Sequence, residues 1–377
     1  MIYLDNAATT NHKPLSVKLS VLKAMSKKYS ANPGRSSHPI SINAALKILQ
    51  AREKIANYFN LENSNNVIFT SGCTESLNLA ILGSVKTGGH IITTIYEHNS
   101  VLRPLSYLKE KNLIDYTVVK PNFYGEITKK ELQNAIQPNT YMLIVNHISN
   151  VTGYEINLEE CSSFCEEHNL KLLVDAAQSG GHKQIDMQKN NINLLCLAGH
   201  KGFFAPQGVG VLLFQNITLN PIKFGGTGLF SESANMPLIS PEAYEVGTTC
   251  TPNIFGFLAG LEFVRKHFCK IIKKQKELTE FLLREFKKIK ELQVYTKDTF
   301  LNGVVSFNIK NLPSQQVANE LSDKRICVRS GLHCAPLLHK HFGTSEQGMV
   351  RVSFSYFTTK KQLQKLIIAI NQIIKNN

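Results

Sequence analysis

Lys201 and Asp175 are the residues whose positions most clearly suggest chemistry. Lys201 lies in LLCLAGHKGFFAPQGVGVLLF (residues 194–214), between two apolar runs, where removing an ammonium group from water is costly. A lysine that reacts as an amine must lose its proton readily, and a Schiff base with an aldehyde removes the charge altogether. Asp175 ends the apolar run LKLLVDA (residues 170–176), where a lone aspartate is usually a cap. We expect the two side chains at neighbouring strand ends.

A phosphate-binding turn would complete such a site. The segment SGCTES (residues 71–76) follows an apolar run, and its glycine turn opens a helix whose N–H groups, with the hydroxyls of Thr74 and Ser76, could hold a phosphate. The same residues could serve only as an N-cap. Pyridoxal phosphate combines an aldehyde, a phosphate and a ring nitrogen that needs a carboxylate. Lys201, Asp175 and this turn would meet those three requirements.

Two further side chains stand where chemistry is possible. His98 follows the apolar run HIITTIY (residues 90–96), a position where a single histidine is more often structural. Cys334 follows a glycine-containing loop in RSGLHCAP, with Arg329 and His333 near it in sequence to favour the reactive thiolate. From local sequence alone, a buried thiol, one among eight cysteines, is the simpler interpretation of Cys334.

Seven short apolar runs, separated mostly by helical stretches, must position these residues. The runs cover residues 66–70, 90–96, 116–120, 141–148, 170–176, 193–199 and 208–214. This alternation favours an α/β fold whose largely parallel sheet has helices on both faces. A short Gly/Pro loop joins the last two runs, which makes one antiparallel strand plausible. Ligands of such sheets collect at the carboxyl ends of the strands, where Asp175 and Lys201 are placed.

The pattern changes after about residue 255. Amphipathic helices are predicted at 255–290, 314–324 and 360–375, and strands near 304–309, 326–330 and 349–355. We therefore predict a large α/β domain over residues 15–254. Residues 1–14 and 255–377 would form a smaller α+β domain that carries Cys334.

Composition and charge narrow the class of protein. Of the 377 residues 43% are hydrophobic and 19% charged, which is ordinary for a globular protein. The N-terminal residues lack the pattern of a signal peptide and no run approaches a membrane span, so a cytoplasmic protein is expected. The net charge is +14, yet glutamates interrupt the densest basic stretch (residues 265–292), so a nucleic-acid partner is not expected. The cysteines form no Cys-x-x-Cys pair, and no metal site is predicted.

Ten motifs, in order over nearly the whole chain, resemble the cysteine desulfurase family. They are YLDNAATT, ANPGRSSH, TSGCTESLNLA, EHNS, SNVTG, DAAQSGG, AGHKGFFAPQGVG, GTTCTPN, VRSGLHCAPLLH and GMVRVSFSYFTT. The family is a class V aminotransferase-like branch of the fold-type I pyridoxal phosphate enzymes. The resemblance implies a homodimer that converts L-cysteine to L-alanine, leaving a persulfide on an enzyme cysteine for a sulfur-acceptor protein. Iron–sulfur cluster biogenesis is one use of that sulfur.

The resemblance also implies a role for individual residues of this chain. The implied cofactor ligands are Lys201 at the aldehyde, Asp175 at the ring nitrogen, Gln178 at the ring oxygen, His98 on the ring face, and Thr74 and His200 at the phosphate, with Cys73 in the same turn. His98 would also help to move protons. Thr248 would reach the phosphate bound by the partner subunit. Asn150 and Arg351 would bind the substrate carboxylate, Arg329 would help to position the substrate, and Cys334 would accept the sulfur.

Some features distinguish this chain within the resemblance. The short interval between Cys334 and Arg351 is typical of short-loop desulfurases and selenocysteine lyases. His339 and His341 after the cysteine could contact the acceptor, or could be ordinary surface histidines. Ala198 replaces a common Ser or Thr, which removes one phosphate hydroxyl. Two further departures are Cys73 for a common threonine and Leu332 for a common histidine.

Three other functions remain possible at this point. A selenocysteine lyase could use the same residues, although Cys334 argues for sulfur. An aminotransferase of the same class would need no cysteine at position 334. A non-catalytic scaffold of a sulfur-transfer complex would not need Lys201, Asp175, His98 and Cys334 together.

Overall fold

A large sheet with helices on both faces makes up most of the protein. The computed structural model describes residues 1–34 and 36–377. Arg35 of the ANPGRSSH motif lies outside the described residues.

The strands and helices are as follows. The strands are β1 (Ile2–Tyr3), β2 (Val67–Thr70), β3 (Gly89–Thr94), β4 (Ile114–Val119), β5 (Thr140–Asn146), β6 (Lys171–Asp175), β7 (Leu194–Ala198), β8 (Gly210–Phe214), β9 (Leu292–Val294), β10 (Val304–Ile309), β11 (Ile326–Cys327), β12 (Arg329–Gly331) and β13 (Met349–Ser353). The helices are α1 (Leu15–Ala24), α2 (Pro39–Phe59), α3 (Cys73–Gly83), α4 (Asn99–Glu110), α5 (Lys129–Gln133), α6 (Leu158–Glu167), α7 (Thr251–Phe286), α8 (Ser314–Asp323), α9 (Pro336–His341) and α10 (Lys360–Asn376).

The large sheet has seven strands in the order β2-β8-β7-β6-β5-β3-β4. Strands β3 to β7 pair in parallel, and β8 runs antiparallel to both β7 and β2. The predicted α/β fold is therefore confirmed. Each of the seven apolar runs forms a strand, and the single antiparallel strand follows the Gly/Pro loop.

Both faces of this sheet are buried, which explains the nearly continuous apolar runs. In β6, Leu172 and Val174 join one hydrophobic cluster, whereas Leu173 joins the cluster on the opposite face. The strand is thus held from both sides by its alternating side chains. Asp175, the last residue of β6, is placed rigidly at the carboxyl edge.

The C-terminal region builds a second, antiparallel sheet in the order β12-β13-β10-β9. The N-terminal strand β1 pairs in parallel with β11, which ties the first residues to this region. Helix α7 runs continuously across the predicted boundary at residues 254 and 255: Phe257 packs in a cluster under the large sheet, and Phe286 packs in the C-terminal cluster. The division into domains stays a prediction. Within residues 1–34 and 36–377, no helix is long and apolar enough to cross a membrane.

Candidate active site

A cavity of about 240 Å³ opens at the carboxyl edge of the large sheet. Its lining comes from the ends of five strands, β2, β3, β5, β6 and β7, and from the segments that follow them. Ligands of an open α/β sheet collect at this edge. The lining includes seven residues that the resemblance assigns to the cofactor, namely Cys73, Thr74, His98, Asp175, Gln178, His200 and Lys201. It also includes Asn150, which the resemblance assigns to the substrate carboxylate. Segments far apart in the sequence therefore meet at one place.

Asp175 lies at the bottom of this cavity and is only 2% exposed. Its Oδ1 accepts hydrogen bonds from the Ala177 N–H, at 2.9 Å, and from the Cys73 thiol, at 3.6 Å. Burial raises the pKa of the Asp175 carboxyl, and the hydrogen bond from Ala177 and the charge of Lys201 oppose that rise. A cationic ring nitrogen would be a suitable partner for this buried carboxylate.

Lys201 follows β7 and lines the same cavity as Asp175. Burial lowers the pKa of its ammonium group, and the charges of Arg351 and Arg329 lower it further, whereas Cys73 and Asp175 oppose the shift. A lysine with a lowered pKa releases its proton more readily and becomes a nucleophilic amine. The apolar flanks of Lys201 in the sequence thus correspond to a real desolvated site.

His98 is the N-cap of α4 and carries a neutral ring. Its Nδ1 accepts the Ser100 N–H at 3.1 Å, which places the ring proton on Nε2. Burial lowers the pKa of His98 to about 4, with further lowering from the nearby Lys201 and Arg329 charges. The Ser100 hydroxyl lies 2.9 Å from His98 Nδ1 and 2.8 Å from the Thr74 hydroxyl. Ser100 therefore connects the histidine to the turn predicted to bind phosphate.

The N-terminal segment packs against two residues that line the cavity, Gln178 and His200. Gln178 donates through Nε2 to the carbonyl oxygen of Ala7 at 2.9 Å. The carbonyl oxygen of His200 accepts from the Thr10 hydroxyl at 2.9 Å and from Lys13 Nζ at 3.1 Å. These bonds fix the backbone at His200, whose ring Nδ1 has no partner among the described residues.

Arg351 is a fully buried cation beside the cavity. Its Nη2 lies 2.7 Å from Asp5 Oδ1, and its Nη1 donates to the carbonyl oxygen of Asn150 at 3.0 Å. Its Nε has no partner in the described part of the chain. Arg329 on β12 pairs with Arg351 on β13 in the antiparallel register. Asp5 offsets one of these two guanidinium charges, so the group retains a net positive charge, which suits a carboxylate ligand.

Cys334 lies on a sharply turned loop between β12 and α9. His333 and Cys334 both have left-handed backbone angles, with φ of +50° and +58°, a conformation that costs energy in residues other than glycine. Two hydrogen bonds hold it: Asn150 Nδ2 donates to the His333 carbonyl at 2.8 Å, and the Asn99 N–H donates to the Cys334 carbonyl at 2.7 Å. The strained loop is therefore fixed by neighbours of His98 and by a cavity residue.

The thiol of Cys334 borders a second cavity, of about 440 Å³, between α3 and α4. Thr74, His98 and Ser100 line both this cavity and the one that contains Lys201. Cys334 is partly exposed, and Arg103 and Tyr107 of α4 form the outer part of the second cavity. The cysteine thus lies between the lysine site and the protein surface.

Thr248 is the one predicted cofactor residue that does not line the Lys201 cavity. It is exposed, and its hydroxyl accepts from Asn32 Nδ2 at 3.3 Å. This position agrees with the expectation that Thr248 acts on a partner subunit, and the role itself stays a prediction.

Two histidine interpretations do not match the structure. His333 was expected to favour the Cys334 thiolate, but it is 3% exposed and burial lowers its pKa well below the usual value, so its ring is neutral. His339 was considered as an acceptor contact or a surface residue, but it is fully buried and bonds Thr344 at 2.9 Å. Only His341 of the pair is exposed. Their apolar neighbours in APLLH indicated this burial.

Sequence reasoning missed three residues of the site. Asp5 pairs with Arg351, Ser100 bridges His98 and Thr74, and Glu97 is a fully buried carboxyl whose Oε1 accepts from the Thr94 hydroxyl and the Asn146 N–H. Asp5, Glu97 and Ser100 all stand inside motifs that the sequence analysis singled out, YLDNAATT and EHNS. Membership in those motifs was the available signal, but each of the three also bonds a residue at least 26 positions away in the sequence.

Known proteins resemble this chain over its whole length. The family described as Aminotransferase class-V matches residues 2–366. A probable cysteine desulfurase of Borreliella burgdorferi is 31% identical, with 100% of this chain and 92% of that protein covered. One from Methanothermobacter thermautotrophicus is 30% identical, with 99% and 94% covered. The apo structure of a cysteine desulfurase from Thermococcus onnurineus superposes with a TM-score of 0.92 at 29% identity, covering 100% of this chain and 95% of that one. The chain therefore belongs to the cysteine desulfurases of the class V aminotransferase family.

Proposed function

We propose that this protein is an L-cysteine desulfurase that uses pyridoxal phosphate and stores the released sulfur as a persulfide on Cys334. The carbon–sulfur bond of L-cysteine breaks and a sulfur–sulfur bond to Cys334 forms. L-cysteine and the Cys334 thiol give L-alanine and the Cys334 persulfide, so all atoms are accounted for. The substrate sulfur is oxidised to the sulfane level, and its carbon is reduced to a methyl group.

Unpaired polar atoms around Lys201 support a polar cofactor at this position. Asn146 Oδ1, Asn150 Oδ1 and His200 Nδ1 have no hydrogen-bond partner in residues 1–34 and 36–377, and all three residues line the cavity. Buried polar atoms of this kind are normally satisfied by a ligand or by water. Together with the Asp175 carboxylate and the Lys201 amine, they fit pyridoxal phosphate.

The roles that the resemblance implies for the cofactor ligands are supported by their shared cavity. Lys201 would bind its aldehyde, Asp175 its ring nitrogen, Gln178 its ring oxygen, His98 its ring face, and Thr74, His200 and the N–H groups at the start of α3 its phosphate. When bound, pyridoxal phosphate supplies an aldehyde for the substrate amine and a ring that withdraws electrons from the substrate Cα. Helix α3 begins at Cys73, and N–H groups in the first turn of a helix are suitable donors to a phosphate.

Two groups of this chain would bind the substrate and take its proton. The lowered pKa of Lys201 allows its amine to accept the proton from the substrate Cα. Arg351 would bind the substrate carboxylate through its planar guanidinium, with Asn150 and Arg329 beside it. Asp5 accepts a hydrogen bond from Nη2 of Arg351. This bond would orient the guanidinium group for the substrate carboxylate.

The observation that carries the proposal is the 2.7 Å hydrogen bond between the Asn99 N–H and the Cys334 carbonyl. It joins the strained loop of Cys334 to the residue that follows His98, at the boundary between the Lys201 cavity and the surface. A thiol at this boundary can take sulfur from a substrate on one side and deliver it to an acceptor on the other.

Mass spectrometry after incubation with L-cysteine tests this function. We expect about 32 Da of added sulfur on the peptide that contains Cys334, together with free L-alanine. Cys334→Ala should form neither, whereas Cys269→Ala, which removes an exposed thiol of α7, should behave as wild type. If Cys334→Ala produces alanine at the wild-type rate, the proposed persulfide is wrong. Turnover of L-selenocysteine without sulfur on Cys334 would favour a selenocysteine lyase.

An apolar surface supports a homodimer. Leu15, Leu19 and Leu22 of α1 are 54% to 68% exposed, and Leu46 of α2 is 57% exposed. Large apolar side chains exposed at several positions on these two helices are typical of an interaction surface. Asn32, which bonds Thr248, lies in the connection between α1 and α2. A second copy on this surface would bring each Thr248 toward its partner's site, the role that the resemblance implies.

A sulfur acceptor would approach from the second cavity. Arg103 is exposed there, and it forms no ion pair with any residue of the described part of the chain. Tyr107 beside it is 53% exposed. A free guanidinium and an exposed aromatic ring next to Cys334 suit a thiol carried on an acidic segment.

A further inference from the structure

Cys73 occupies an unusual place in the cavity. It is the first residue of α3, in the turn expected to hold the phosphate, at a position where the family commonly has threonine. Its side chain does not remain on the phosphate side, because Sγ lies 3.6 Å from Asp175 Oδ1 on β6. The thiol therefore belongs to the ring-nitrogen end of the site.

Glycine packing at the sheet makes this approach possible. A Cβ on Gly210 of β8 would lie only 2.3 Å from the carbonyl carbon of Gly72. Because Gly210 lacks that atom, the start of α3 can sit directly on the sheet. Cys73, the next residue, then reaches toward the end of β6.

The thiol is protonated and acts as a donor. Burial raises the pKa of Cys73 well above its usual value, and the Asp175 charge raises it further. Cys73 is therefore a poor nucleophile and is not a second sulfur acceptor. Both described donors to Asp175, the Cys73 thiol and the Ala177 N–H, bond Oδ1. The other oxygen, Oδ2, receives no hydrogen bond from the described residues.

We propose that Cys73 is a positioning residue that fixes Asp175 so that Oδ2 faces the cofactor ring nitrogen. Its hydrogen bond stabilises the charged form of the carboxylate and makes it less basic. The proton shared between Asp175 and the ring then stays on the ring nitrogen, where it strengthens electron withdrawal. This inference rests on the proposed function, since it requires pyridoxal phosphate at this site.

The unpaired Asn146 Oδ1 supports the same assignment. Asn146 is the last residue of β5, the strand beside β6, and it is 4% exposed and lines the same cavity. An unsatisfied buried acceptor next to Asp175 indicates that a polar ligand completes this end of the cavity.

NMR of ring-¹⁵N pyridoxal phosphate bound to the full chain tests the inference. In wild type the ring nitrogen should have a pyridinium chemical shift. In Cys73→Ala the loss of the donor makes Asp175 more basic, so the shift should move toward that of neutral pyridine. Cys73→Ser keeps a donor and should restore the wild-type shift. Cys196→Ala removes a buried thiol from β7 that bonds no described residue, and it should leave the shift unchanged.

A second measurement does not need the cofactor. In the cofactor-free protein, Asp175→Asn removes the anion beside Cys73, so the Cys73 thiol should react with iodoacetamide at lower pH than in wild type. Unchanged ring shifts in Cys73→Ala, or unchanged thiol reactivity in Asp175→Asn, would overturn the positioning role. If wild type binds no pyridoxal phosphate at all, the proposed function fails as well. If wild type binds it with a pyridinium shift that Cys73→Ala retains, only the inference on Cys73 fails.

Discussion

The Asn99 N–H donates a 2.7 Å hydrogen bond to the carbonyl oxygen of Cys334. Asn99 is the first residue of α4 and directly follows His98, so this bond joins the histidine that borders both cavities to the cysteine loop. Backbone N–H groups in the first turn of a helix have no partner within the helix. The helix start therefore provides a donor that the strained loop uses.

Asn99→Pro removes this donor while keeping the helix. Proline is well tolerated at the first helical position, and His98 already has the extended backbone (φ −75°, ψ 155°) that a residue before proline requires. We expect persulfide formation on Cys334 to slow by about tenfold or more, because small displacements of reacting groups are costly. Cofactor binding should not change. Single-turnover mass spectrometry measures the persulfide.

Asn99→Ala is the matched control, since it removes the side chain but retains the N–H. It should form persulfide at close to the wild-type rate. Equal rates in Asn99→Pro and wild type would show that the bond to Cys334 does not position the thiol.

Glu97 gives a pH-dependent prediction. Its carboxyl is fully buried, Oε2 has no partner in the described residues, and burial raises its pKa to about 8, with Asp175 adding to the rise. A carboxyl whose pKa is higher in the folded state stabilises the fold below its unfolded value of 4.5, and that contribution is lost as the pH rises to about 8. The difference between the two pKa values, 4.5 and about 8, corresponds to up to about 5 kcal/mol in the free energy of unfolding.

Glu97→Gln should therefore be more stable than wild type at high pH. The glutamine amide reproduces the neutral acid, accepting from Thr94 and Asn146, but it cannot ionise. Urea unfolding should give nearly equal stabilities near pH 4 and a clear advantage for the variant near pH 8.5. The buried histidines titrate in both proteins, so they cancel in the comparison. A constant difference across this range would mean that Glu97 is ionised in the folded protein.

The sequence could predict the fold because the central strands of the large sheet are buried on both faces. A run such as LKLLVDA is apolar throughout since Leu172 and Leu173 face opposite clusters, and the strand ends then place Asp175 and Lys201 at one edge. The resemblance to a known family supplied candidate roles for residues, but it could not predict the protonation state of individual side chains. The His333 ring is neutral because it is buried in the folded chain. A local sequence pattern does not predict burial by residues that are distant in sequence.

Contacts between distant segments were also beyond the sequence. Asp5 meets Arg351 because β1 pairs with β11 and Asp5 then forms a parallel bridge with Ser353 at the end of β13. The contact of Cys73 with Asp175 depends on the missing Cβ of Gly210. Such pairs follow from the packing of complete elements, and a motif names at most one member of each.

Arg103 should select the charge of the sulfur acceptor. The measured quantity is the ratio of two rates: that of the Cys334 persulfide with the anionic thiol 2-mercaptoethanesulfonate, divided by that with the cationic thiol 2-aminoethanethiol. We expect Arg103 to raise this ratio. Arg103→Gln should lower this ratio by about two- to fivefold, as expected for an exposed charge. Comparing the same ratio between variants cancels the intrinsic reactivity of each thiol.

Lys270→Gln is the control, because it removes an exposed cation of α7 that does not line the second cavity. It should leave the ratio unchanged. If Arg103→Gln and Lys270→Gln lower the ratio equally, only the net charge of the protein matters. If Arg103→Gln changes the oligomeric state instead, a second copy of the chain covers this cavity.

Leu46→Glu tests the homodimer through an exposed residue. Leu46 is 57% exposed on α2, so a charge there should cost the isolated subunit little stability but should disfavour apolar association. Sedimentation should show a dimer for wild type and a shift toward monomer for Leu46→Glu. Ile368→Glu, at an equally exposed position (58%) on α10, should remain dimeric. The monomeric variant should also bind pyridoxal phosphate more weakly, because Thr248 of the partner no longer contributes. A dimer that survives Leu46→Glu unchanged would place the interface elsewhere.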